Sequence, residues 1–209
     1  MEWKSYFEML IDWKKLPAYK AEPRIDSLVG YFLKPILEEF LEDEIVGVIP
    51  EFPIRLGTVR PELNEKHYAN RSYKVDFFAV SKSGVNYLVE FKTDTNSRRD
   101  EQDKYLLLSK ELGTEPIVNG VLQLSQASTY TKKYNHLKEK LSNLGLLNEQ
   151  ELYTGLNEGL EIIYVQPSNY QNEKLVVDFN WIADWLERIP NSSEYEKELA
   201  FALRKWSLD

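Results

Sequence analysis

Cysteine is absent from the 209 residues, and only two histidines, His67 and His136, are present. The first absence excludes a disulfide framework, thiolate metal sites and a cysteine nucleophile. The second excludes a multi-histidine metal centre within one chain. A metal site here has to be built from oxygen ligands, which suits magnesium, manganese or calcium. There is no uninterrupted apolar run of the roughly 18 residues a membrane span needs, so no membrane partner is expected. The opening MEWKSYFEML mixes acids with aromatics and has no secretory apolar core, so cytoplasmic residence is the expectation. Glycine and proline, nine each, are too few for a collagenous or low-complexity chain. Positive charge is also short: 26 Lys and Arg stand against 34 Asp and Glu, a net charge of −8. That argues against a general nucleic-acid coat protein but leaves room for a local basic groove.

Core material is plentiful. Apolar residues make up 43% of the chain and aromatics 13%. A chain this long buries roughly 70% of its unfolded surface, so it folds without staples and is not disordered as its main state. We expect one domain over residues 1–209, with 1–22 and 180–209 as peripheral helical additions.

Periodicity sets the expected elements. Trp3, Phe7, Leu10 and Trp13 predict a helix over 3–16. A full apolar stripe from Ile25 to Leu41 predicts a helix over 24–42, kinked at Pro35. IVGVIPEFPI (45–54) reads as a strand interrupted by Pro50 and Pro53, and 57–71 as a polar loop. YKVDFFAV (73–80) and VNYLVEFKT (85–93) read as a hairpin around the turn SKSG. Helices follow over 98–112, ending at Gly113, and over 118–144. Strands at 160–167 and 174–179 and helices at 180–189 and 193–206 complete the chain. The class is α/β, with a mixed central sheet flanked by helices.

The hairpin carries charge where apolar residues belong. Asp76 shares a strand face with Phe78 and Val80, and Glu90 and Lys92 share one with Leu88. Their flanks are apolar on both sides, and unpaired charge in such strands is costly. A turn centred near Ser83 makes paired positions sum to 166, which sets Asp76 opposite Glu90 with Cβ atoms about 4.5–5.5 Å apart. Like charges directly opposite are destabilising, and a divalent cation offsets them; Lys92 neutralises part of the charge. A partly exposed edge cluster without function is the competing interpretation, weakened by the apolar flanks. Asp26 falls within the apolar stripe of its helix, either as a first-turn acid or as a third carboxylate at the metal. Gln102 lies near the start of the next helix, on one side with Tyr105, Leu106 and Ser109; it is either first-turn decoration or a group that holds a phosphate or a water.

Asp76, with Glu90-Phe91-Lys92 starting fourteen positions later, resembles the motif of the PD-(D/E)XK nuclease superfamily. The resemblance covers roughly residues 24–112 and, by element order, the strand near 160–167. It implies a restriction-endonuclease-like core, in the order helix, three strands, helix, strand, here with extra terminal helices. It implies that Asp76 and Glu90 bind the metal, that the Phe91 carbonyl completes the site, and that Lys92 orients water or stabilises the transition state. Asp26 takes the place of the acid on the first core helix. Gln102 resembles a glutamine on the following helix in some branches, although only two residues separate it from Tyr105. The implied activity is Mg2+- or Mn2+-dependent phosphodiester hydrolysis, on DNA ahead of RNA.

Basic residues are placed unevenly. Residues 38–44 hold five acids and no base. Lys132, Lys133, Lys138 and Lys140, interleaved with Tyr130 and Tyr134, form a face that either tracks a phosphate backbone or is simply solvated. Arg98 and Arg99 open the helix after the motif, and with Lys132 and Lys133 they are the expected substrate contacts. The five tryptophans all lie in terminal segments and pack end helices onto the core or onto a second subunit, as in a homodimer. The rival class is a nuclease fold kept as an inactive binding or protein-interaction module.

Overall fold

Phe7 and Leu10, one helical turn apart, are buried while their neighbours are not, and they define the inner face of α1 (Trp3–Lys14). The computed structural model describes residues 3–14, 22–64, 69–94, 100–169 and 174–208. The expected helix over 24–42 is two helices, α2 (Glu22–Gly30) and α3 (Leu33–Leu41). The apolar stripe runs through both, with Ile25, Val29, Leu33, Ile36 and Leu37 buried. The break follows Gly30, where backbone freedom makes continued helix least favourable. Phe32 N–H then donates to the Val29 carbonyl at 2.9 Å, and Ile36 N–H to the Phe32 carbonyl at 3.0 Å. Pro35 is therefore a first-turn residue of α3, where a missing N–H breaks no intrahelical bond, and not the centre of a kink.

Strand β1 (Ile45–Arg55) is continuous through both prolines. It lies at the edge of the sheet, where lost donors are tolerated. The segment expected as a polar loop opens instead with a buried turn, α4 (Leu56–Val59), and a 3-10 turn at Pro61–Leu63. Strands β2 (Ser72–Ser81) and β3 (Val85–Phe91) form the expected antiparallel hairpin. Its pairs, from Val80↔Asn86 to Phe77↔Val89, each sum to 166 as the turn chemistry predicted.

Helix α5 (Asp100–Leu112) ends at Gly113, whose φ of 78° is the left-handed value a helix C-terminus favours. The expected helix over 118–144 is again two, α6 (Thr114–Ala127) and α7 (Thr131–Asn143). Ser128 is extended, and its Oγ accepts from Tyr130 N–H at 3.1 Å; a local hydroxyl contact of this kind competes with the helix. Strands β4 (Gly159–Gln166) and β5 (Val176–Asp178) are parallel, and α8 (Phe179–Arg188) and α9 (Glu194–Trp206) close the chain. The class is α/β as expected, with an open mixed sheet in the order β1-β2-β3-β4-β5 and flanking helices.

The chain forms two compact units. The first holds Met1–Phe40, Glu90–Arg98 and Ile163–Asp209. Its interior is aromatic: Trp206 and Phe7 are fully buried with ring centres 6.5 Å apart, and Trp3 meets Tyr195 edge-on at 4.7 Å. Trp185 packs on Phe32 and Trp181 on Phe40, so the terminal tryptophans bring α8 onto α3 and the turn before it, in line with the first of the two expected roles. The second unit holds Leu41–Val89 and Arg99–Ile162. Its apolar centre sets Phe52 on Phe78 at 4.4 Å and buries Ile117, Val118, Val121 and Leu124 of α6. One buried polar chain runs through it. Asn157 donates to the Ser81 carbonyl at 2.8 Å and to Asn86 Oδ1 at 2.9 Å, and Asn86 donates to Thr114 Oγ1 at 3.2 Å. Such a network is tolerated because its members satisfy one another.

Candidate active site

In the first unit, Glu90 and Lys92 are 1% and 3% exposed. Strand alternation points both side chains to one face, and Lys92 Nζ lies 2.6 Å from Glu90 Oε1. The backbone here is held as well: Lys92 N–H donates to the Val165 carbonyl of β4 at 2.7 Å. Phe91, between the two charges, stacks on Phe179 at 5.6 Å. An ion pair this buried loses several kcal/mol of hydration per ion, about balanced by the mutual attraction, so it adds little net stability.

Asp76, in the second unit, is half-buried between the buried Val75 and Phe77. On the β1 side, Pro50 pairs with Phe77 and Phe52 with Val75, so Glu51 takes the position across from Asp76. Glu51 has a left-handed φ of 51° and is exposed, and its carboxylate lies 3.3 Å from Lys74 Nζ. Lys74 in turn shares the β2 face of Asp76, two residues earlier. The sequence expectations did not include Glu51; its signal was an acid between two prolines in a strand.

Asp26 is half-buried on α2, one residue after the buried Ile25. Among the described residues, no group of three or more His, Asp or Glu side chains is gathered closely enough to hold a metal. Gln102 is half-buried on α5, on the side of the buried Tyr105 and Ser109. Lys132 and Lys133 are exposed on the first turn of α7. Arg98 and Arg99 lie outside the described residues.

A further cluster, distributed over distant positions, went unread in the sequence. Tyr73 of β2 and Tyr105 of α5 stack with ring centres 3.3 Å apart. Arg60 bonds Glu62 at 2.9 Å, and with the two tyrosine hydroxyls beside it the guanidinium is held still more firmly charged. Burial, then the Tyr105 hydroxyl, pushes the Tyr73 phenol up to about 12. The cluster pins α5 to β2, and so fixes the helix that carries Gln102. Compared with family models, curated proteins and solved structures, the chain has no match.

Proposed function

We propose that this chain is a divalent-metal-dependent nuclease that hydrolyses phosphodiester bonds in DNA, with Asp76, Glu90 and Lys92 at its centre. The observation that carries this reading is the Glu90–Lys92 pair, 2.6 Å apart and almost wholly buried at the end of a core strand. Apolar residues would fill that space at no electrostatic cost, and charges kept in such a place cluster at functional sites.

The donors fit a hard cation. Asp76, Glu90 and the Phe91 carbonyl offer oxygen only, the chemistry Mg2+ or Mn2+ takes. Such an ion, when bound, lowers the pKa of a water and neutralises phosphate charge. The residues of the chain supply the rest. Asp76 and Glu90 would each supply carboxylate oxygen to the ion. Lys92 sets a compact positive charge where negative charge develops on the phosphate. Glu90 orients that ammonium before substrate arrives. Incubation with linear, branched and single-stranded DNA and with RNA, with Mg2+, Mn2+ or EDTA, tests this. Cleavage is expected only with metal, and Asp76→Asn, an isosteric change at a half-buried site, lowers it at least about a hundredfold. Unchanged cleavage by that variant overturns the proposal.

One observation favours the rival, an inactive binding or interaction module of the same fold. Lys92 already balances Glu90 without a metal. On that reading neither Mg2+ nor Mn2+ raises the melting temperature, and no substrate is cleaved.

A further inference from the structure

We infer that a groove between β1, β2 and the start of α7 binds single-stranded nucleic acid, with a base stacked on Tyr130. The inference rests on the nuclease reading for its biological sense, and deepens it by naming the form of the substrate. The groove lies wholly in the second unit, has a volume of about 300 Å³, and is lined by Glu51, Lys74, Tyr130, Lys133, Tyr134 and Leu137 among others.

Three features select the occupant. First, Tyr130 is a large aromatic ring left 67% exposed, with the Lys133 ammonium 5.6 Å from its centre. An aromatic face with a cation beside it is the stacking platform that single-strand binders present. Second, the charge is complementary. Lys74 is paired with Glu51 and Lys138 with Glu151, whereas Lys132 and Lys133 have no ion pair among the described residues. They leave two ammonium groups for phosphates on the turn that carries Tyr130. Third, the groove leads towards Asp76, because Lys74 lies two residues from it on the same strand face, a rise of about 7 Å. In a duplex, base faces are covered by their neighbours and cannot reach Tyr130. An acidic peptide would meet the lysines but leave the ring without a partner. Among the described residues Glu51 is the one opposing charge lining the groove, and Lys74 neutralises it.

Fluorescence anisotropy tests the inference, with the full chain in EDTA and fluorescein-labelled oligothymidylate, an equal-length duplex and polyglutamate as probes. The single strand is expected to bind more tightly than either of the others. Tyr130→Ala weakens it about tenfold. Lys132→Ala with Lys133→Ala makes the salt dependence shallower by about 1.4 in log–log slope. These side chains are exposed, so both variants keep the native melting temperature. No binding, tighter binding of duplex or polyglutamate, or an unaffected Tyr130→Ala overturns the inference. Because binding is read in EDTA and cleavage with metal, the two readings fail separately. Lost binding in Tyr130→Ala, with Asp76→Asn cleaving normally, sinks the nuclease reading and leaves the groove standing.

Discussion

Among the described residues two cations are buried, one in each unit, and they are accommodated differently. Lys92, in the first, has a carboxylate 2.6 Å away, supplied two residues earlier by its own strand. Arg55, in the second, is 7% exposed; its Nη2 donates to Asn64 Oδ1 at 2.5 Å, while its Nε has no hydrogen-bond partner among the described residues. It is roofed by glycine, since a Cβ at Gly57 would lie 2.7 Å from Nη1. The difference follows from the ions. An ammonium is a compact, strongly hydrated charge that has to be repaid by an anion, whereas a guanidinium is delocalised and weakly hydrated, and an amide oxygen suffices. A cation buried with a built-in anion therefore marks the more specialised site.

Substitutions can break that contrast. Lys92→Met strands a buried carboxylate and should cost about 3–5 kcal/mol in urea denaturation. The double variant Glu90→Gln, Lys92→Met should recover most of the loss, and a double variant no better than the single one would show that charge is not the cause. Arg55→Met leaves only the amide of the exposed Asn64, which water can serve, and should cost about 1 kcal/mol. A loss as large as that of Lys92→Met would mean that Arg55 has an anionic partner and that the contrast is false. The smallest effect concerns a half-buried group that stays neutral. Burial, ahead of the nearby Tyr6, Glu196 and Tyr31, pushes the Tyr195 phenol up to about 12. A raised folded value means its stabilisation is complete below the ordinary tyrosine pKa of about 10 and is lost as pH rises through 10 towards 12. Melting temperatures across that window should fall more steeply for the native chain than for Tyr195→Phe; identical slopes would refute the shift.

Local chemistry was legible in the sequence and long-range partnership was not. The hairpin register followed from alternation and the SKSG turn, and the Glu90–Lys92 contact from a spacing of two in a strand. The helix breaks after Gly30 and at Ser128 were missed because the apolar stripe continues across them, so periodicity gave no sign of a stop. The turn at Leu56–Val59 was taken for a polar loop because the charges around it outweighed two apolar residues, both of which are buried. Arg60, Tyr73 and Tyr105 meet only in the fold, and nothing at any one of those positions announces the other two. Tyr130 and Lys133, three residues apart at a helix start, could be read as neighbours, but the groove they line needed the edge of β1 and β2.

Gly113 serves two helices at once, ending α5 and standing as the residue before α6 with no linker between them. Its φ is 78°, and a Cβ there would come within 2.9 Å of the Glu158 carbonyl oxygen. The corner is thus a hinge without a pin: its direction is set by one backbone conformation and guarded by one carbonyl. A side chain at this position would not merely strain a turn. It would change the angle at which α6 leaves α5, and with it the seat of Thr114 in the buried polar chain. For engineering, this is the residue to leave alone.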